Sequence, residues 1–157
     1  MKKNKYFMEQ ALIEAEKAYN LKEVPIGAVI EYQGKIIGRG YNRRETDNDP
    51  TAHAEIIAIR TAAQKLGDWR LEGCSIYVTV EPCLMCAGAI LKARIKTLIY
   101  GASSPKDGAL KTLCEVFSND RLNHQVEFEG NFMTKECSVL MQKFFEELRS
   151  GRMGESG

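Results

Sequence analysis

No stretch of this 157-residue sequence approaches the roughly 18 apolar residues of a membrane span, so no transmembrane helix is expected. Met1-Lys2-Lys3-Asn4-Lys5 has the charge of a secretory leader, but Tyr6-Phe7-Met8 runs straight into Glu9 and Gln10. The apolar core of a leader is therefore missing. An excess of charge of one sign is missing too: 22 Lys and Arg stand against 21 Asp and Glu, a net charge of +1. No overall field draws the chain to nucleic acid or acidic lipid, and any such contact has to come from a local patch. The 5 cysteines are odd in number and do not form the dense, paired set of a disulfide framework. A cytoplasmic location is expected. Two of the cysteines sit three apart beside a proline, which points to metal instead.

The length suits one domain with a real hydrophobic core, and 44% apolar with 27% charged residues is ordinary for a globular chain. Phe7, Ala11, Ala15, Ala18 and Tyr19 recur at helical spacing. Val24 to Tyr32 and Lys35 to Tyr41 are β-rich and flank Gln33-Gly34, which predicts a hairpin. Arg43 to Asp49 is polar and loop-like, and Asp49-Pro50 is expected to open a helix that runs through Leu66 and ends near Gly67. Cys74 to Val80 and Ile95 to Tyr100 are strands of the near-continuous apolar kind found in a sheet covered on both faces. Between them a helix is expected from Glu81-Pro82 to about Lys92. Gln125 to Glu129 is a further strand, and Cys137, Leu140, Met141, Phe144, Phe145 and Leu148 trace one face of a closing helix. With no repeat and no linker, residues 1–150 are expected to form one α/β domain of about five strands between helices, and 151–157 a frayed tail.

The chemistry concentrates in two short stretches, Thr51-Ala52-His53-Ala54-Glu55 and Glu81-Pro82-Cys83-Leu84-Met85-Cys86. Each is expected in the first turn of a helix, where free N–H groups and the dipole favour thiolate over thiol. At a spacing of three, Cys83 and Cys86 point to one side of a helix. Zinc takes thiolates and neutral imidazole, so His53 is the third ligand if the two helices start side by side. Three protein ligands leave one tetrahedral position open, the mark of a catalytic site, and water there ionises near a pKa of about 7. Glu55, two residues past His53, points elsewhere and is assigned as the proton shuttle rather than a ligand. Cys74, Cys114 and Cys137 fit core positions better than a fourth ligand position. His124 is expected to hold a loop, Trp69 to pack, and Arg43-Arg44 to sit on a solvated face beside the pocket.

The H-x-E and P-C-x-x-C pattern is the signature of zinc nucleobase deaminases, and the chain resembles the bacterial tRNA adenosine deaminases over nearly its whole length. The resemblance rests on Glu23 to Val29, Asn42, Asp49 to Glu55, Trp69 to Gly73, Tyr77 to Gly88, Arg94-Ile95, Tyr100 to Ala102, Asn123-His124 and the ending at Phe144-Phe145. It implies a three-layer α/β/α cytidine-deaminase-like fold and hydrolysis of the wobble adenosine of a tRNA anticodon loop to inosine, by a homodimer. It further implies that His53, Cys83 and Cys86 hold Zn2+ and that Glu55 is the general acid/base. Asn42, Ala54 and Lys106 would contact the substrate, although a turn-capping role rivals base contact at Asn42.

The chain departs from that family in two places. Ser104 stands where an acidic residue is usual, and Leu110-Lys111-Thr112 replaces part of a small-residue run. The closing helix carries Glu146-Glu147 where a basic ending is common. Two other functions compete with tRNA deamination. A free-base deaminase of the guanine type would tend to show another cysteine before Glu-Pro-Cys, where this chain has Val78-Thr79-Val80. A non-catalytic zinc-bearing RNA-binding subunit would be expected to have lost Glu55.

Overall fold

The computed structural model describes residues 2–112 and 114–151. In chain order the elements are α1 (Lys5–Asn20), β1 (Gly27–Tyr32), β2 (Lys35–Tyr41), α2 (Ala54–Leu66), β3 (Ser75–Val80) and α3 (Leu84–Lys92). They continue with β4 (Thr97–Ala102), a short 3-10 turn at Val116–Ser118, β5 (Glu127–Glu129) and α4 (Thr134–Arg149). None of the described helices is long and apolar enough to cross a membrane. Past Gly151, the expected tail lies outside the described residues.

One mixed sheet runs β2-β1-β3-β4-β5. The first three strands pair antiparallel and the last three parallel. The hairpin turns at Gln33 and Gly34, both at positive φ (51° and 83°), as a two-residue turn matched to strand twist requires.

Period-two alternation sends successive strand residues to opposite faces. Ala28, Ile30, Ile76, Val78, Leu98 and Tyr100 pack on one face against Ala54, Ala58 and Ala62 of α2 and Ala87 and Ile90 of α3. Val29, Tyr77 and Ile99, interleaved with them, pack on the other face with Phe7, Met8 and Ala11 of α1 and Cys137 of α4. The chain therefore builds the expected three-layer α/β/α sandwich, and both faces of the central strands are dry. Small residues bring α2 close to the sheet. A Cβ on Gly40 would overlap the carbonyl of Ala54.

Two helix starts differ from expectation. The Asp49 carboxylate turns back on the Thr51 N–H (2.8 Å) and hydroxyl (2.7 Å), so this segment closes an Asx turn. The backbone stays extended at His53 (φ −82°, ψ 153°), and α2 begins at Ala54. Likewise Glu81-Pro82 does not open α3. Cys83 is extended (φ −76°, ψ 176°) and the helix begins at Leu84, because the Glu81 side chain is engaged by a distant loop. β5 is shorter than expected, and β4 lies two residues later.

Candidate active site

All the strand ends that meet the N-termini of α2 and α3 lie at one edge of the sheet. β3 ends at Val80 and β4 at Ala102, while β1 starts and β2 ends beside them. Ligand sites of open α/β sheets favour this edge, beyond the carboxyl ends of parallel strands. A cavity of about 690 Å³ opens there, with His53, Ala54, Glu55 and Cys83 at its floor.

His53 is the N-cap of α2 and Cys83 the N-cap of α3, and neither makes a side-chain capping hydrogen bond. Cys86 lies one turn into α3. The chain thus brings the predicted trio together: His53 Nδ1 is 3.7 Å from Cys83 Sγ and 3.5 Å from Cys86 Sγ. All three donor atoms lie within 4.8 Å of one another, and no fourth His, Cys, Asp or Glu joins them among the described residues. Two sulfurs and one imidazole nitrogen form a donor set that suits zinc, with one position left open.

The electrostatics of the trio follow from its crowding. A hydrogen bond from Cys86, with a second from His53, lowers the Cys83 thiol to about 4. The same bond to Cys83, together with burial, raises Cys86. The hydrogen bond to Cys83 raises His53. Glu55 is only 4% exposed in the first turn of α2, outside the trio. Burial pushes its carboxyl up to about 7, with the nearby Cys83 charge adding to the rise. A carboxylate held near neutrality can both accept and return a proton.

The remaining predicted residues fall around the cavity. Ala54 is fully buried in the floor. Asn42 lines one wall, but its amide nitrogen donates to the Val24 carbonyl (3.2 Å) and its oxygen accepts from the Arg44 N–H (3.1 Å). The loop-holding role weighed at this position is therefore present. Lys106 is exposed on the opposite rim, within Ser103 to Asp107. His124 lies elsewhere and holds the Ile95 carbonyl at 2.7 Å. Arg44 lines the cavity, while Arg43 pairs with Asp47 at 3.0 Å.

Two expectations change. Trp69 does not pack in the core; it is 55% exposed with the Arg70 guanidinium over its ring. Cys114 is exposed, whereas Cys74 and Cys137 are buried in the core.

Sequence reasoning missed three features of the site. Met141 and Phe145 of α4 form a third wall; their spacing signals only an amphipathic helix. Buried Glu81 holds the rim after β4 (Ser104 N–H, 3.3 Å; Lys111 N–H, 2.8 Å). Buried Glu23 likewise takes the N–H groups of Glu45 (3.1 Å) and Thr46 (2.6 Å) in the rim after β2. A glutamate inside the apolar run before Pro82 was a usable signal for the first; nothing around Glu23 marked the second.

The profile of the MafB19-like deaminase family matches residues 1–149. A tRNA-specific adenosine deaminase of Streptococcus pyogenes serotype M1 is 48% identical over 147 residues, 94% of this chain and 84% of its own. A solved structure from studies of A-to-I editing by tRNA:A34 deaminases at the wobble position of transfer RNA superposes with a TM-score of 0.84. It is 45% identical over 87% of this chain and 99% of its own. A guanine deaminase structure from Bacillus subtilis is more distant, at 34% identity and a TM-score of 0.62 over 95% of each chain.

Proposed function

The chain belongs to the tRNA-specific adenosine deaminases, and on that premise we propose that it hydrolyses adenosine to inosine at the wobble position of a tRNA anticodon. The observation that carries the chemistry is the convergence of His53, Cys83 and Cys86 on the cavity floor, with Glu55 buried beside them. His53, Cys83 and Cys86 would hold one zinc ion, which when bound supplies a Lewis acid that activates water at neutral pH.

The chain's own groups do the rest. Glu55 takes a proton from the attacking water and gives it to the ring nitrogen of the base, where it stays. Glu55 then carries the proton of the newly formed C–OH group to the leaving amine. Water adds at the carbon bearing the amino group, and ammonia departs. The apolar side chains Met141 and Phe145 of the α4 wall keep bulk water off the base. Asn42, Ala54 and Lys106 are the substrate contacts. An anticodon loop suits a cavity of this kind, because its bases are already unpaired and cost less to extrude.

The partner copy implied by the family has a surface to meet. Leu84 is 64% and Met85 37% exposed at the start of α3, beside the site. A homodimer would cover them. Residues 1–150 form the deaminase domain, and a cytoplasmic location accords with a tRNA substrate.

The test is inosine formation by zinc-loaded protein on an adenosine-bearing anticodon stem-loop, run beside guanine, cytosine and free adenosine. Inosine in the RNA alone is expected. The likeness to a guanine deaminase structure favours one second reading, deamination of a free base. Ammonia released from guanine, with no inosine in RNA, would establish that reading and discard tRNA.

A further inference from the structure

Glu81, 3% exposed in the cavity lining and outside the group His53, Cys83 and Cys86, makes five hydrogen bonds to one loop. Oε2 accepts from the N–H groups of Leu110 (3.0 Å), Lys111 (2.8 Å) and Thr112 (3.1 Å). Oε1 accepts from the Ser104 N–H (3.3 Å) and the Thr112 hydroxyl (2.5 Å). One carboxylate therefore ties both ends of a loop whose first half, Ser103 to Asp107, forms the cavity rim. Gly108 has no side chain where any Cβ would overlap that carboxylate.

The anchor is shared with the metal-ligating turn. Glu81 donates its own N–H to the Ala102 carbonyl (2.8 Å), and Pro82 accepts from the Ala109 N–H (2.9 Å), one residue before Cys83. Every partner of the carboxylate is a donor, shared between its two oxygens. The position thus demands a charged, two-ended acceptor.

We propose that Glu81 is a positioning residue that sets the substrate-facing rim Ser103 to Asp107 at a fixed height over the ligand turn. This deepens the functional reading above and rests on it for its kinetic arm. Glu81 acts through the loop and takes no part in proton transfer, so loosening it weakens the hold on RNA and spares the chemical step.

The variant E81Q isolates the effect. Its amide oxygen keeps the three N–H groups of Leu110 to Thr112, while its amide nitrogen turns a donor toward the Ser104 N–H. Faster amide hydrogen exchange at Ser104 is expected, with the exchange at Leu110 to Thr112 nearly unchanged and one zinc retained per chain. On the anticodon stem-loop, KM is expected to rise about tenfold with kcat within twofold, since a hydrogen bond to a charged acceptor is worth at least that factor. T112V, which removes only the hydroxyl, should shift KM the same way by less, and it carries the test if E81Q does not fold. An unchanged KM, a fall in kcat at constant KM, or lost zinc would overturn the proposal. If wild-type protein makes no inosine on RNA, the substrate reading fails separately. The exchange measurement then decides alone, and an unchanged Ser104 amide sinks the anchor.

Discussion

His53 Nδ1 lies 3.5 Å from Cys86 Sγ across 33 residues of sequence. The contact exists because two helices begin at the same sheet edge with their first turns facing each other. Several expectations depend on that convergence.

Glu55→Ala should keep fold and zinc while turnover falls by about 10²- to 10⁴-fold, the contribution of a positioned acid/base. Inosine formation and metal analysis on the same preparation check it. Near wild-type deamination would remove Glu55 from the proton path.

Cys86→Ser should lose its zinc, because a buried serine hydroxyl does not replace a thiolate ligand. Atomic absorption on the purified variant is sufficient. One zinc per chain would contradict the assignment of Cys86.

Asn42→Ala should lower stability by about 1–3 kcal/mol, since the Val24 carbonyl and the Arg44 N–H lose their partner. KM for RNA should rise as well if the side chain also meets the base. Denaturant unfolding and steady-state kinetics separate the two; a stability loss alone assigns Asn42 to the loop only.

Gly40→Ala should cost about 1–3 kcal/mol, the usual penalty for overpacking. The new methyl would overlap the Ala54 carbonyl and approach Ala58 N to 2.7 Å. Because Ala54 follows His53, thermal unfolding and zinc affinity should both weaken. A variant as stable as wild type would mean that α2 has slack against the sheet.

The layers and the convergence of His53, Cys83 and Cys86 were legible in the sequence for local reasons. The near-continuous apolar run Ile95 to Tyr100 announces a sheet covered on both faces, and cysteines three apart name a ligand pair. The helix starts were misread because Asp49-Pro50 and Glu81-Pro82 carry the residue types of helix caps, and residue type does not reveal where a carboxylate goes. Asp49 bonds two residues away, whereas Glu81 bonds to Ser104 and Thr112, 23 and 31 residues on. A partner at that range is set by tertiary packing and leaves no periodic trace.

The two buried glutamates divide the site into parts with different freedom to change. The floor is built from helix starts seated on a sheet that is dry on both faces, so a shift of the backbone there disturbs the core and the candidate ligands together. The rims hang from single carboxylates by backbone N–H groups, which almost any residue can supply. Loops fastened in this way can be rewritten at their tips while the hook stays the same. A lineage carrying such a scaffold can change its clientele without rebuilding its catalyst.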